Sequence, residues 1–365
     1  MSLEESRAMA RVLIIGAGSV ATVMAAKVSQ EPELFSSLTL ASQNREETAR
    51  IEGRLPSSFK ISTATLDAFD ATAVADLIRS SLSGIVFNAA RPAQNLSVME
   101  ACLEAGAHYI DTAAPKPIPG QNGLLTAWGQ LAFHERYKSA GLTALLSIGL
   151  SPGLTNVFAA HAAERLDQVE TLDILVCQRN PVSSTPEIAP PSVWWEDGRW
   201  QEEPAGTTLR SFVLPELGLQ KLTRSYHEEL ATIVPRLRGL QRAQFWAGSC
   251  PDHPKQNSAT SLPRIGCLVG GKRKSQPHSF YLSNLGDQEG TFAESSSPAG
   301  RNLTGVPPVV AAELLLSPCT DWNKPGVWVP EDLPTAPIMT RLARRGVSWK
   351  IIDGEELRIG APKQP

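Results

Sequence analysis

The stretch Arg11–Val28, RVLIIGAGSVATVMAAKV, limits what this chain can fold into more than any other. Val12–Ile15 is a short apolar, β-branched run of the kind that forms a strand buried on both faces. It runs into Gly16-Ala17-Gly18-Ser19-Val20-Ala21, a G-x-G-x-x-A pattern, and then into the helix-forming residues Val23–Lys27. Each small residue has a physical reason. Gly16 permits the tight turn, Gly18 lets the backbone approach a diphosphate, and Ala21 allows close helix–strand packing. The unpaired amides of Ser19 and Val20 and the positive end of the helix dipole then face the phosphates. A tight strand–helix turn without a ligand is the plainer alternative. The position of the pattern between a strand and a helix favours a dinucleotide.

The next strand, Ser37–Ala41, ends in Ser42-Gln43-Asn44-Arg45. A site for NAD usually places a carboxylate here to accept from the ribose 2′-hydroxyl. None is present, and Ser42, Gln43 and Arg45 suit a 2′-phosphate, so NADP is the expected cofactor, with NAD possible. Further strands are predicted at Lys60–Leu66, Gly84–Asn88, His108–Asp111 and Leu142–Ile148. Helices are predicted at Asp70–Ser80, with Asp70 as N-cap, at Leu96–Ala105, closed by Gly106, and at Trp128–Ser139. This alternation implies an α/β fold, a Rossmann-type doubly wound parallel sheet whose ligands sit at the C-terminal strand ends. On that rim the cofactor is expected to meet Gly16, Gly18, Ser19, Val20, Ala21, Ser42, Gln43, Arg45, Asp67, Asn88, Ala89, Ala90, Thr112 and Pro152.

After Asn156 the pattern changes. A helix is expected at Val157–Arg165 and a strand at Thr171–Cys177. A loop-rich stretch over Arg179–Thr208 follows, then a helix over Tyr226–Arg238. Strands are expected at Arg242–Trp246, Arg264–Val269 and Ser279–Asn284, and a helix at Pro308–Leu316 opened by Thr304–Pro307. The organisation read from this is a dinucleotide-binding domain over 1–155, an inserted α+β substrate and dimerisation domain over 156–303, and a segment over 304–365 returning largely to the first.

The 365 residues allow two or three domains. A net charge of −3 gives no basic footprint for nucleic acid. No uncharged apolar run reaches the ~18 residues of a membrane span. The cysteines Cys102, Cys177, Cys250, Cys267 and Cys319 are odd in number and scattered, without a C-x-x-C pair. That argues against a disulfide framework and a thiolate metal site and for a reducing cytoplasm. Gly149-Leu150-Ser151-Pro152-Gly153 matches the nucleophile elbow G-x-S-x-G. That site needs the backbone N–H of the residue after serine, and proline has none. Pro152 is expected instead at the first position of a helix with Ser151 as N-cap. Trp194, Trp195 and Trp200 either pack a loop or dimer contact or, less simply, line a pocket for a cationic amine.

Several long stretches carry a family likeness: Val12–Ala21, MEACLEAGAHYIDTA at Met99–Ala113, FHERYKSAGLTALL at Phe133–Leu146 and PGLTNVFA at Pro152–Ala159. Others are WWEDGRW at Trp194–Trp200, SYHEELATI at Ser225–Ile233, TGVPPVVAAELLL at Thr304–Leu316, KPGVWVPED at Lys324–Asp332 and RRGVSWKI at Arg344–Ile351. On these the chain resembles the saccharopine dehydrogenase-like family, most nearly its carboxynorspermidine dehydrogenase branch. The resemblance implies an NADPH-linked homodimer that joins an amine, such as a diamine, to aspartate β-semialdehyde and reduces the imine to a carboxylated polyamine. A saccharopine- or opine-type dehydrogenase and a non-catalytic dinucleotide-binding regulator are the alternatives. The chain departs from the family at Gln43, where an arginine is typical, at Ser151 of the D-P-G motif, and at Gln288 of the D-H-E motif. It also looks shorter over Arg179–Glu187 and Ala247–Arg264. For imine chemistry a carboxylate beside the iminium and an acid/base group are useful. The candidates are Asp111 at a strand end, equally suited to a turn, and His227 and Glu228. On a helix those two would point about 100° apart. His134 and Glu135 are expected to be structural.

Overall fold

The computed structural model describes residues 9–115, 126–178, 190–215, 217–249, 264–284, 299–317, 322 and 324–354. Asp287–Glu289, Cys250, Cys319 and most of the two segments expected to be short lie outside them. The chain forms two compact units. One comprises Met1–Pro115, Trp128–Gly149 and Thr304–Val329; the other comprises Lys116–Ala127, Leu150–Leu303 and Pro330–Pro365.

The first unit alternates strand and helix: β1 (Ala10–Ile15), α1 (Ser19–Ser29), β2 (Phe35–Ser42), α2 (Arg45–Glu52), β3 (Ile61–Thr65), α3 (Ala71–Ser81), β4 (Ile85–Asn88), α4 (Asn95–Ala105), β5 (His108–Asp111), α5 (His134–Ser139) and β6 (Thr143–Leu145). Local chemistry sets the boundaries. The Asn44 side chain accepts from the amides of Glu46 and Glu47 and starts α2. Asp70 accepts from the Ala73 amide and starts α3. Instead of one helix over Trp128–Ser139, a 3₁₀ segment over Thr126–Phe133 precedes a short α5.

In the second unit come α6 (Leu154–Ala163), β7 (Gln168–Gln178), β8 (Ser192–Glu196), β9 (Arg199–Glu203), β10 (Leu209–Leu214), β11 (Gly218–Ser225), α7 (Glu229–Ile233), β12 (Arg242–Ser249), β13 (Arg264–Arg273) and β14 (Gln276–Asn284). The helix α8 (Ala299–Leu316) leads back to the first unit and β15 (Gly326–Trp328). The helix α9 (Thr335–Arg344) and β16 (Trp349–Asp353) belong to the second. The C-terminal stretch is thus shared between the units.

The first sheet is parallel throughout, in the order β15-β6-β5-β4-β1-β2-β3. Val12–Ile15 and Ile85–Phe87 are buried at its centre. The second sheet is mixed, β10-β11-β12-β7-β13-β14-β16, with the β8–β9 hairpin attached to β12. Leu175, Phe212, Leu222, Trp246 and Tyr281 form its core. Each such large side chain contributes roughly 1.5–3 kcal/mol on burial.

Four sequence expectations are corrected here. The region read as loop up to Thr208 holds the β8–β9 hairpin, turned by Asp197-Gly198 with both residues at positive φ. The helix expected over Tyr226–Arg238 is confined to Glu229–Ile233. Pro152 does not open α6. It follows a cis Ser151–Pro152 peptide, and Gly153, at φ 125°, is the N-cap. Pro307 and Pro308 lie inside α8 rather than at its start.

Candidate functional site

The bend between β1 and α1 is built around two glycines with different reasons to be there. Gly16 sits at φ 110°, and a Cβ on it would lie 2.7 Å from the Ala89 carbonyl oxygen. The loop after β4 is pinned this closely because the Ala89 amide donates to the Ile15 carbonyl at 2.8 Å. Gly18 is different. Its backbone is extended, and a Cβ on it would meet no atom within 4 Å. The open side of Gly18 is therefore a cradle that a methyl group would fill. Gly18 is the N-cap of α1 and has no side chain to cap it, and the first turn, beginning with Ser19 and Val20, carries no acidic residue. Ala21 is fully buried behind the turn. This arrangement fits the diphosphate of a dinucleotide.

At the end of β2, Gln43, Asn44 and Arg45 are exposed and Ser42 is partly buried. The Ser42 hydroxyl accepts from the Asn44 amide at 3.2 Å. Arg45, the first residue of α2, forms no ion pair among the described residues. No carboxylate stands at this strand end; Glu46 and Glu47 lie in the first turn of α2. Asp67 follows β3 beside it, since the Leu66 amide donates to the Ser42 carbonyl. Asp67 is exposed and accepts from the Phe69 amide, which shapes that loop.

Asp111 ends β5 and is 1% exposed. Its Oδ1 accepts from the Ser147 amide at 2.6 Å. Its Oδ2 accepts from the Tyr109 hydroxyl at 2.8 Å and from Gln130 Nε2 at 2.7 Å. Burial pushes its pKa up to about 6, although these three donors and the Ala113 backbone pull the other way. Asn88 is joined to the same group: its Nδ2 donates to Tyr109 Oη at 3.1 Å and to Asn95 Oδ1 at 3.0 Å, and its Oδ1 accepts from the Ala90 amide at 3.2 Å. Asn95 Nδ2 in turn donates to Gln130 Oε1 at 3.1 Å and to the Ala113 carbonyl at 2.9 Å. Of the predicted site residues, Asn88, Ala89, Ala90, Asp111 and Thr112 are thus brought together at neighbouring strand ends with Gly16. Tyr109, Asn95 and Gln130, which the sequence did not single out, complete the network.

Pro152, His227 and Glu228 lie in the second unit. Pro152 is buried. His227 and Glu228 precede α7 instead of sitting on it, so the 100° separation does not apply. His227 Nδ1 lies 3.5 Å from a Glu228 oxygen. Its stronger partner is Glu229, which the sequence reading passed over. Glu229 is fully buried, hydrogen-bonded to His227 Nδ1, and accepts from the Ser151 hydroxyl at 2.7 Å and the Thr155 hydroxyl at 3.0 Å. Burial alone would raise its pKa; His227 and the two hydroxyls outweigh burial and hold it below the usual carboxylate range. The His227 ring stacks on Phe245, with centroids 4.6 Å apart. Ser151 donates to Glu229, and Pro152 after it has no N–H to build the oxyanion hole of a nucleophile elbow. Trp194 is covered by the Arg224 guanidinium at 4.0 Å and Trp195 packs edge-on against Trp200, so these rings pack against the protein's own groups. His134 bonds to the Val327 backbone.

Among the described residues no group of His, Cys, Asp or Glu is arranged to hold a metal, and no helix is long and apolar enough to cross a membrane. Residues 12–145 match the family model described as the saccharopine dehydrogenase NADP binding domain. Carboxyaminopropylagmatine dehydrogenase of Synechocystis sp. is 30% identical, over 95% of this chain and 98% of its own. The chain belongs to the saccharopine dehydrogenase-like family. Another relative, carboxynorspermidine synthase of Vibrio cholerae, is 27% identical over 96% of this chain and 98% of its own. Apo saccharopine dehydrogenase (L-Glu forming) from Saccharomyces cerevisiae shares the fold, with a TM-score of 0.70 over 95% of this chain and 100% of that one at 12% identity. In this saccharopine dehydrogenase-like chain the matched NADP-binding segment runs from β1 to β6, the part of the parallel sheet that carries the glycine cradle.

Proposed function

We propose that this protein is an NADPH-dependent reductase that joins an amine to aspartate β-semialdehyde and reduces the resulting imine, giving a carboxylated polyamine. The observation that carries this reading is the extent of the likeness. It spans both units and almost the full length of relatives named for carboxylated amine products, not the dinucleotide domain alone.

NADPH, when bound, supplies the hydride. The chain's own residues hold and orient. Gly18 and the amides of Ser19 and Val20 take the diphosphate, with Gly16 and Ala21 shaping the turn beneath. Ser42, Gln43 and Arg45 offer neutral and cationic donors to a 2′-phosphate, and Asp67 shapes the adjoining loop. Asn88, Ala89, Ala90 and Thr112 line the neighbouring strand ends. In the second unit His227 handles the proton as the imine forms and loses water, its Nδ1 engaged by Glu229. Glu228 supplies a carboxylate for positive charge on the amine or iminium. Pro152 fixes the start of the segment that carries Ser151 and Thr155 to Glu229.

The setting we propose is a cytoplasmic homodimer. Buried thiols at Cys102, Cys177 and Cys267 suit a reducing compartment, and the exposed Leu209, Val213 and Leu219 on the β10–β11 edge offer apolar area to a second copy. The test is absorbance loss at 340 nm with NADPH, aspartate β-semialdehyde and a panel of diamines and agmatine, then keto acids paired with amino acids. Turnover with the semialdehyde is expected. Turnover only with keto acids would move the assignment to an opine-type enzyme, and NADPH binding without turnover to a regulator.

A further inference from the structure

We infer that the Asp111 carboxylate is a positioning group that sets the direction of two hydrogen-bond relays, both ending on Asn88, and thereby fixes the Ala89–Ala90 backbone against the glycine cradle. This rests on the reading of that cradle as the dinucleotide site.

An ionised carboxylate only accepts. Tyr109 must therefore turn its O–H towards Asp111, at 2.8 Å, which leaves its oxygen to accept from Asn88 Nδ2 at 3.1 Å. That is the short relay. In the long one, Gln130 must present Nε2 to Asp111, so its Oε1 accepts from Asn95 Nδ2, and Asn95 Oδ1 then accepts from Asn88 Nδ2. Both relays demand the same amide orientation at Asn88, with nitrogen inward. Asn88 Oδ1 is thereby aimed at the Ala90 amide, 3.2 Å away. The opposite orientation would set an NH₂ against an N–H. The backbone at Ser147, on Oδ1 at 2.6 Å, and at Ala113 adds further donors to the carboxylate.

What the relays hold is the tightest point of the cradle. The Ala89 carbonyl oxygen lies only 2.7 Å from where a Cβ on Gly16 would be, so this loop and the turn at Gly16 are packed against each other. Tyr109 on one relay, and Gln130 and Asn95 on the other, each favour the same orientation of Asn88, so either relay alone suffices to hold it.

The substitution Asp111→Asn gives the site one NH₂, which must oppose either the Tyr109 and Gln130 donors or the Ser147 amide N–H, so the relays and the Ser147 bond cannot all be kept. Tyr109→Phe cuts the short relay alone, and the double variant Tyr109→Phe/Gln130→Met cuts both while keeping the carboxylate. NADPH affinity is read by fluorescence titration, and hydrogen exchange at the Ala90 amide is read on the ligand-free protein. Asp111→Asn and the double variant are expected to weaken NADPH about tenfold or more and to expose Ala90 to exchange, in line with the loss of an oriented hydrogen bond. Tyr109→Phe alone is expected to stay within about threefold. If Asp111→Asn does not fold, the double variant carries the comparison. Wild-type affinity and Ala90 protection in the double variant, with only a lowered melting temperature, would overturn the inference. So would full loss from Tyr109→Phe alone, because then the long relay would not suffice. Failure of the wild-type protein to bind NADPH would instead count against the dinucleotide reading. Exchange at Ala90 would still test the relays without any ligand.

Discussion

Replacing Gly18 by alanine is expected to separate binding from folding, and replacing Gly16 to do the reverse. At Gly18 the backbone is one that alanine adopts freely, and the added methyl meets nothing within 4 Å. The stability of the ligand-free protein should change by less than about 1 kcal/mol, since a small capping loss opposes a gain from the stiffer unfolded chain. The methyl does occupy the space assigned to the diphosphate. Losing one charge-assisted amide–phosphate hydrogen bond costs about 1.5–3 kcal/mol, or roughly 10- to 150-fold in affinity. At an NADPH concentration of about 100 times the wild-type Kd, the ligand adds about 2.7 kcal/mol to the wild-type protein. A variant weakened about 100-fold would gain only about 0.4 kcal/mol under the same conditions. Gly16→Ala places a side chain at φ 110° and 2.7 Å from the Ala89 oxygen. Backbone strain of about 1–3 kcal/mol and overpacking of about 1–3 kcal/mol then fall on the fold itself. The assay is thermal or urea unfolding of both variants with and without NADPH, together with calorimetric titration of Gly18→Ala. Wild-type affinity in Gly18→Ala would refute the cradle, and a Gly16→Ala protein as stable as Gly18→Ala would refute the contact with Ala89.

Gln43→Ala/Arg45→Ala is expected to weaken NADPH far more than NADH; equal loss in titrations of the two cofactors would refute a 2′-phosphate site at the end of β2. The stability difference between wild type and Asp111→Asn should depend on pH. Burial raises the Asp111 pKa from 3.8 to about 6, so its favourable contribution is complete below about pH 4 and is lost as pH rises through about 6, a change on the order of 3 kcal/mol measurable by urea unfolding. Glu229 behaves with the opposite sign. Its pKa is lowered, so its contribution is present above the ordinary carboxylate range and fades in acid. Glu229→Gln should therefore destabilise the protein at pH near 7, by about 1–3 kcal/mol, and much less in acid, and it should lower kcat through the loss of His227 orientation.

The parallel half of the fold was legible because its central strands are buried on both faces and read as continuous apolar runs, with α3 announced by its cap at Asp70. The second unit was harder to read, since most of its strands pair antiparallel and several are partly exposed. Leu209–Leu214 and Gly218–Ser225 alternate in polarity without a strong apolar run. One signal was present and overlooked. Asp197-Gly198 between Trp194–Glu196 and Arg199–Glu203 is the two-residue hairpin pattern. Glu229 was missed for another reason. Reading Tyr226–Arg238 as one helix set His227 and Glu228 about 100° apart as separate candidates and left Glu229 unconsidered. The chain instead turns before Glu229, which drops into the interior to meet hydroxyls from Ser151 and Thr155, far away in sequence. The network around Asp111 was half visible: its position was marked by the strand end, but its donors come from β5, from the segment before α5 and from beyond β6.

The order of synthesis meets an obstacle in the way the first sheet is closed. Its edge, β6, pairs with Gly326–Trp328, which the ribosome makes only after the whole run from Leu150 to Leu303. At about 5–20 residues per second that leaves the flank of Thr143–Leu145 uncovered for roughly ten to forty seconds. An open parallel edge of this kind invites pairing with another nascent chain. Production of this protein is therefore expected to be limited less by the strength of its finished core than by how well that interval is shielded.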